Sequence, residues 1–171
     1  IRGDSLPITI SGALHSGVYR IRGDVSSQYI SGLLLALPML EGESKITLTS
    51  PLESRPYVDL TRNKLRKFGI SVIALSDGWL IPGGQKYTSP KNLSIEGDWS
   101  NAAFWIAANA LGSNIKVTGL DENSCQGDLR IRDLSLKPKS SIDVKDIPDL
   151  VPVLAVLACG AKGNTLLRNC G

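Results

Sequence analysis

The chain has 171 residues, 42% of them hydrophobic and 20% charged, with 17 glycines and 9 prolines, the composition of a globular protein. No apolar run reaches the roughly 20 residues needed to cross a bilayer, and the longest, Ile30 to Leu40, is broken by Ser31, Gly32 and Pro38, so no membrane span is expected. Basic residues number 19 against 16 acidic ones, a net charge of +3 without a basic stripe carrying interleaved aromatics, which argues against nucleic acid as a partner. The first predicted helix, Ser27 to Leu37, places Ile30, Leu33, Leu34 and Leu37 at the i, i+3, i+4, i+7 spacing of a buried face and ends at Pro38. A strand is expected at Ile46–Thr49, then a helix from Pro56 to Phe68 with Tyr57, Thr61, Leu65 and Phe68 on one face and Gly69 as its stop. Arg62, Arg66 and Lys67 lie off that face and read as a solvated surface. Short strands follow at Ile70–Leu75 and Gly78–Ile81. An Ala-rich helix is expected over Asn101–Leu111, closing on Gly112, and a strand at Ile115–Thr118. A last helix over Asp149–Ala158 closes on Gly160, before a strand at Thr165–Arg168.

Three segments repeat: Ile21-Arg-Gly-Asp24-Val-Ser26, Ile95-Glu-Gly-Asp98-Trp-Ser100 and Asp143-Val-Lys-Asp146-Ile-Pro148, each running into a helix. The unit they mark is β-α-β-α-β-β, which predicts an α/β fold with helices packed on sheets. The second unit is short. From Ile46 to Ile95 is 49 positions but from Ile115 to Asp143 only 28, so about twenty residues, a helix and a strand at ordinary lengths, are expected to be absent after about residue 128.

Cysteines Cys125, Cys159 and Cys170 are too few and scattered for a disulfide framework, and with His15 as the single histidine no metal site is expected; a reducing, cytoplasmic setting follows. The chain starts at Ile1 without a signal-peptide layout and stops just after a strand, and is expected to be a piece of something longer.

Helix starts carry unpaired N–H groups and partial positive charge, which suit anions. Ser26-Ser27-Gln28 opens the first helix with two hydroxyls and an amide, and Ser54-Arg55-Pro56-Tyr57 opens the second with a hydroxyl, a cation and a phenol. Serines in such places are most often plain N-caps. Asp146-Ile-Pro-Asp149 has capping-box spacing, and a carboxylate there reads either as a cap or as a general base shielded in a cleft. Gly83-Gly84 lacks the following Lys-Ser/Thr of a P-loop.

Four motifs, Ser26-Ser-Gln-Tyr-Ile-Ser-Gly-Leu-Leu-Leu-Ala-Leu-Pro38, Glu53-Ser-Arg-Pro-Tyr-Val-Asp-Leu-Thr61, Glu96-Gly-Asp-Trp-Ser-Asn-Ala-Ala-Phe104 and Asp146-Ile-Pro-Asp-Leu-Val-Pro152, resemble in order the central portion of the EPSP synthase family (3-phosphoshikimate 1-carboxyvinyltransferases), in its bacterial or archaeal wording. The resemblance implies a two-domain enolpyruvyl transferase fold of repeated β-α-β-α-β-β units, incomplete here, with residues 1–96 in the first domain and 97–171 in the second. It implies transfer of the enolpyruvyl group of phosphoenolpyruvate to the 5-hydroxyl of shikimate 3-phosphate, without cofactor, by a monomer. Ser26, Ser27, Gln28, Ser54 and Tyr57 would bind shikimate 3-phosphate, Gln28 would also reach phosphoenolpyruvate, and Asp149 would hydrogen-bond the 5-hydroxyl as candidate base. The family's cationic motifs fall outside these residues, so the 171 residues alone are expected to be inactive. Alternatives are the sister transferase acting on UDP-N-acetylglucosamine, which Ser-Ser-Gln with Ser-x-Pro-Tyr argues against, and a non-catalytic piece that only binds a phosphorylated ligand.

Overall fold

The protein is described by a computed structural model covering residues 6–136 and 140–170. The first half forms β1 (Val18–Ile21), α1 (Ser27–Ala36), β2 (Ser44–Leu48), α2 (Arg55–Lys67), β3 (Ile73–Leu75) and β4 (Gly78–Ile81), the β-α-β-α-β-β order expected from the repeat. Its sheet has the order β1-β2-β4-β3, with β1 and β2 parallel (Val18 opposite Lys45, Ile21 opposite Leu48) and the other pairs antiparallel. The apolar stripe of α1 buries Ile30 and Leu34, and Leu37 follows in a 3-10 turn with Pro38. They pack with Ile46, Val58, Leu65, Trp79 and Ile81 into one core; each such aliphatic side chain, fully buried, contributes about 1.5–3 kcal/mol. Of the expected α2 face only Leu65 is fully packed, joined by Val58, because Tyr57 and Thr61 turn toward α1 and a cleft.

The second half forms α3 (Trp99–Ala110), α4 (Ile131–Leu136), β5 (Ser141–Asp143), α5 (Val151–Gly160) and β6 (Leu166–Arg168), with β5 and β6 paired in parallel. Trp99, Ala103, Ile131, Val144, Ile147, Leu150 and Leu154 build a separate core. A 3-10 turn (Gly127–Arg130) leads into α4, an element with no counterpart in the sequence reading. The strand expected at Ile115–Thr118 is not formed. The Asn109 side-chain amide donates to the Ile115 carbonyl and accepts from its N–H, both at 2.7 Å, taking the groups a ladder would use, and just beyond this stretch the Gly97 N–H donates to the Gly119 carbonyl at 2.8 Å. Helix α5 also runs through Gly160 instead of closing on it. No helix among the described residues is long and apolar enough to cross a membrane.

Candidate functional site

Because β1 and β2 are parallel neighbours, α1 and α2 both begin at the same, carboxyl-terminal edge of the sheet, where open α/β sheets hold their ligands. The loops are locked together there. Ser50 Oγ accepts from the Gly23 N–H at 2.9 Å and donates to Asp24 Oδ1 at 2.6 Å, and the Glu53 N–H donates to the Gly23 carbonyl at 3.0 Å. A side chain on Gly23 would stand 2.9 Å from Leu52 Cα, so this close approach requires glycine. Arg22 forks onto Asp24, and this hydrogen-bonded pair, with Ser50, holds the Asp24 carboxyl well below the usual range.

A cleft of about 360 Å³ opens between the two helix starts and the turn before α5, lined by Val25, Ser26, Ser27, Gln28, Ser31, Ser54, Tyr57, Leu60, Thr61, Pro148 and Asp149. All six residues singled out from the sequence, Ser26, Ser27, Gln28, Ser54, Tyr57 and Asp149, therefore meet in one place. Ser26 is a true N-cap, its Oγ accepting from the Gln28 N–H at 3.2 Å. Ser54 is different: it sits in the left-handed region at φ 52°, ψ 37° and makes no side-chain cap, leaving its hydroxyl free at the start of α2. A non-glycine residue held there stores backbone strain of about 1–3 kcal/mol, a cost met most often at ligand sites. The floor is a hydroxyl pair, Ser31 Oγ and Thr61 Oγ1 at 2.9 Å, with Thr61 also donating to the Tyr57 carbonyl.

Across the cleft, the capping-box reading of Asp146 and Asp149 is not realised. The short 3-10 turn Pro148–Leu150 and α5 start without any side-chain cap, because the Asp149 carboxylate is drawn off to Tyr57. The Tyr57 hydroxyl lies 3.0 Å from Asp149 Oδ2 and 3.0 Å from Asp128 Oδ2. Burial, with both carboxylates beside it, pushes the Tyr57 phenol far up, so it stays a neutral donor. Asp128 is the residue that reading the sequence missed. It is 2% exposed, and burial, reinforced by the neighbouring Asp149 and Asp98 charges against the opposing Tyr57 hydrogen bond, raises its carboxyl. The signal was slight: an acidic residue after Gln126-Gly127, followed by apolar Leu129 and Ile131 that carry it into the core.

None of the residues lining the cleft is basic. The groups it offers an anion are hydroxyls and the N–H ends of two helices.

A family model described as EPSP synthase (3-phosphoshikimate 1-carboxyvinyltransferase) matches residues 2–138. A protein of Clostridium kluyveri named 3-phosphoshikimate 1-carboxyvinyltransferase is 45% identical over 184 aligned residues, covering 96% of this chain and 43% of the relative. Proteins with the same name from Methanocorpusculum labreanum and Methanocaldococcus jannaschii are each 42% identical, over 94% and 95% of this chain and 42% and 43% of their own length. The chain thus spans less than half the length of the curated relatives it matches. With four motifs in family order, the repeat unit they imply and a match over most of its residues, the chain belongs to the EPSP synthase family.

Proposed function

We propose that this chain supplies the acceptor-holding side of an enzyme that transfers the enolpyruvyl group of phosphoenolpyruvate to the 5-hydroxyl of shikimate 3-phosphate, releasing phosphate. The observation that carries this reading is the convergence of Ser26, Ser27, Gln28, Ser54, Tyr57 and Asp149 on one cleft. In it the hydroxyls of Ser26, Ser27 and Ser54 and the N–H groups at the starts of α1 and α2 hold the 3-phosphate. The Gln28 amide reaches phosphoenolpyruvate, and Tyr57 borders the ring. Asp149, exposed to the cleft, accepts the 5-hydroxyl proton as the oxygen adds to the phosphate-bearing carbon of phosphoenolpyruvate, while an acid protonates the methylene; loss of phosphate and of a methyl proton then restores the double bond and gives the enol ether. The cationic groups that neutralise phosphate and carboxylate come from segments the relatives carry beyond this chain, so these residues alone bind the acceptor without turning it over. No cofactor is needed, and the protein acts as a cytoplasmic monomer.

We propose the same two-domain division for this chain, residues 1–96 in one domain and 97–171 in the other, a reading that its two separate cores support. Alignment positions numbering 184 for 96% of a 171-residue chain mean that the relative carries about twenty residues absent here. That number supports a segment missing from the second unit after about residue 128, as the spacing of the repeats suggests.

Steady-state kinetics on the full-length protein test the reading. Phosphate release from shikimate 3-phosphate plus phosphoenolpyruvate is expected, and UDP-N-acetylglucosamine is not expected to replace the acceptor. Asp149→Ala should lower kcat about 100-fold or more with little change in acceptor KM, and Ser26→Ala should raise acceptor KM by about tenfold. Small, equal effects on both constants would return Asp149 to a structural role.

A further inference from the structure

One phenolic proton faces two carboxyl oxygens at Tyr57, Asp128 Oδ2 and Asp149 Oδ2, each at 3.0 Å. It can be donated to only one of them. Were both carboxyls ionised, the other would press its negative oxygen against the phenol lone pairs at hydrogen-bond distance. The cluster is satisfied by a second proton on one of the two acids, and burial decides which. Asp149 is exposed to the cleft and keeps its charge hydrated. Asp128 is 2% exposed and its Oδ1 has no partner, and among the described residues no Lys or Arg pairs with it. An unpartnered carbonyl oxygen of a neutral acid is far cheaper to bury than half of an unpartnered carboxylate. The charged groups facing it, Asp149 from the turn before α5 and Asp98 at the start of α3, are both negative and favour the neutral form.

We propose that Asp128 is a positioning residue that remains protonated and donates to the Tyr57 oxygen, which commits the Tyr57 proton to Asp149 Oδ2 and leaves Asp149 Oδ1 turned to the acceptor hydroxyl. The relay runs Asp128 to Tyr57 to Asp149, from the buried core of the second half through a side chain of the first. The backbone holds it in place: a Cβ on Gly127 would stand 2.8 Å from the Asp146 carbonyl and 3.1 Å from the Pro56 ring, so the turn carrying Asp128 is pressed against the start of α2. The catalytic part of this proposal rests on the reading of Asp149 as the group that takes the hydroxyl proton. The position of the proton does not.

Infrared difference spectroscopy at neutral pH tests the proton directly on the full-length protein. The carbonyl stretch of a protonated carboxylic acid is expected in the wild type, lost in D128N, retained in D149N and shifted in Y57F. Absence of the band in folded wild-type protein, its loss in D149N, or an unshifted band in Y57F overturns the proposal, and these arms hold even if D128N does not fold. In kinetics, D128A should lose about tenfold in kcat with acceptor KM nearly constant, and D128N, whose amide still donates to Tyr57, should recover most of that loss. Equal losses in both variants would contradict the donor role. A wild-type protein that shows the band but releases no phosphate would refute the proposed reaction and leave the proton where it is placed here.

Discussion

An aspartate kept dry beside two other acids makes stability depend on pH in a particular direction. The native carboxyl of Asp128 is raised above its ordinary value, mainly by burial. Its contribution to stability is therefore fully present below the unfolded value of about 3.9 and is lost as pH rises toward the native one, at up to about 1.4 kcal/mol per pH unit. Removing the titration should remove that slope. Thermal unfolding of D128N, measured against the wild type from pH 4 to 7, is expected to show a relative gain that grows with pH, and parallel curves would contradict the account. Ser26 was legible as an N-cap because helix starts announce themselves by small polar residues before apolar periodicity, whereas Ser54 and Asp149 cap nothing and were singled out as site candidates through the family resemblance. Asp128 was not, since what sets it apart is a contact with Tyr57 across 71 positions of chain, and no local pattern encodes a long-range neighbour. The bond that takes Asp149 away from capping, 92 positions from Tyr57, was hidden for the same reason.

Helices α1 and α2 and the strand β2 between them were legible because their signals are local: an apolar stripe, a proline or glycine stop and a β-branched run. The strand at Ile115–Thr118 had the same composition and did not form, because a strand needs a neighbour and here the Asn109 amide occupies the Ile115 backbone instead. Pairing is what fixes β2 and β4 as well. Gly78 lies opposite Thr47 at φ +153°, and a Cβ there would fall 1.9 Å from the Ile46 carbonyl oxygen, inside the van der Waals contact of backbone with backbone. Gly78→Ala is therefore expected to break the β2–β4 ladder and cost about 3 kcal/mol or more, the range of large single-site effects tied to a strained backbone. Denaturant unfolding measures it. A loss below about 0.5 kcal/mol, typical of a surface change, would mean that the hairpin does not approach β2 so closely.

Two cores built in series along the chain meet through a few polar ties. Tyr57 reaches Asp128 and Asp149, the Ser54 N–H donates to the Lys145 carbonyl at 3.4 Å, and Glu96, paired with Lys64 at 3.0 Å, meets the Ser124 hydroxyl of the second half. The Glu96 carboxyl is held low by the Ser124 hydroxyl and by the Lys64 ammonium, which keeps that tie charged through neutral pH. The cleft lies along this polar seam rather than inside either core. The repeat made the β-α-β-α-β-β unit of the first half legible in the sequence, but contacts such as Gly127 against Pro56 are ones that only the folded chain displays. The most direct test of the account is a titration with shikimate 3-phosphate followed by backbone amide resonances. The account predicts the largest shifts at Ser27, Gln28, Arg55 and Tyr57, the first-turn residues of α1 and α2. Shifts confined to the groove of Arg62, Arg66 and Val72 at the far end of α2, or none at saturating ligand, would contradict it.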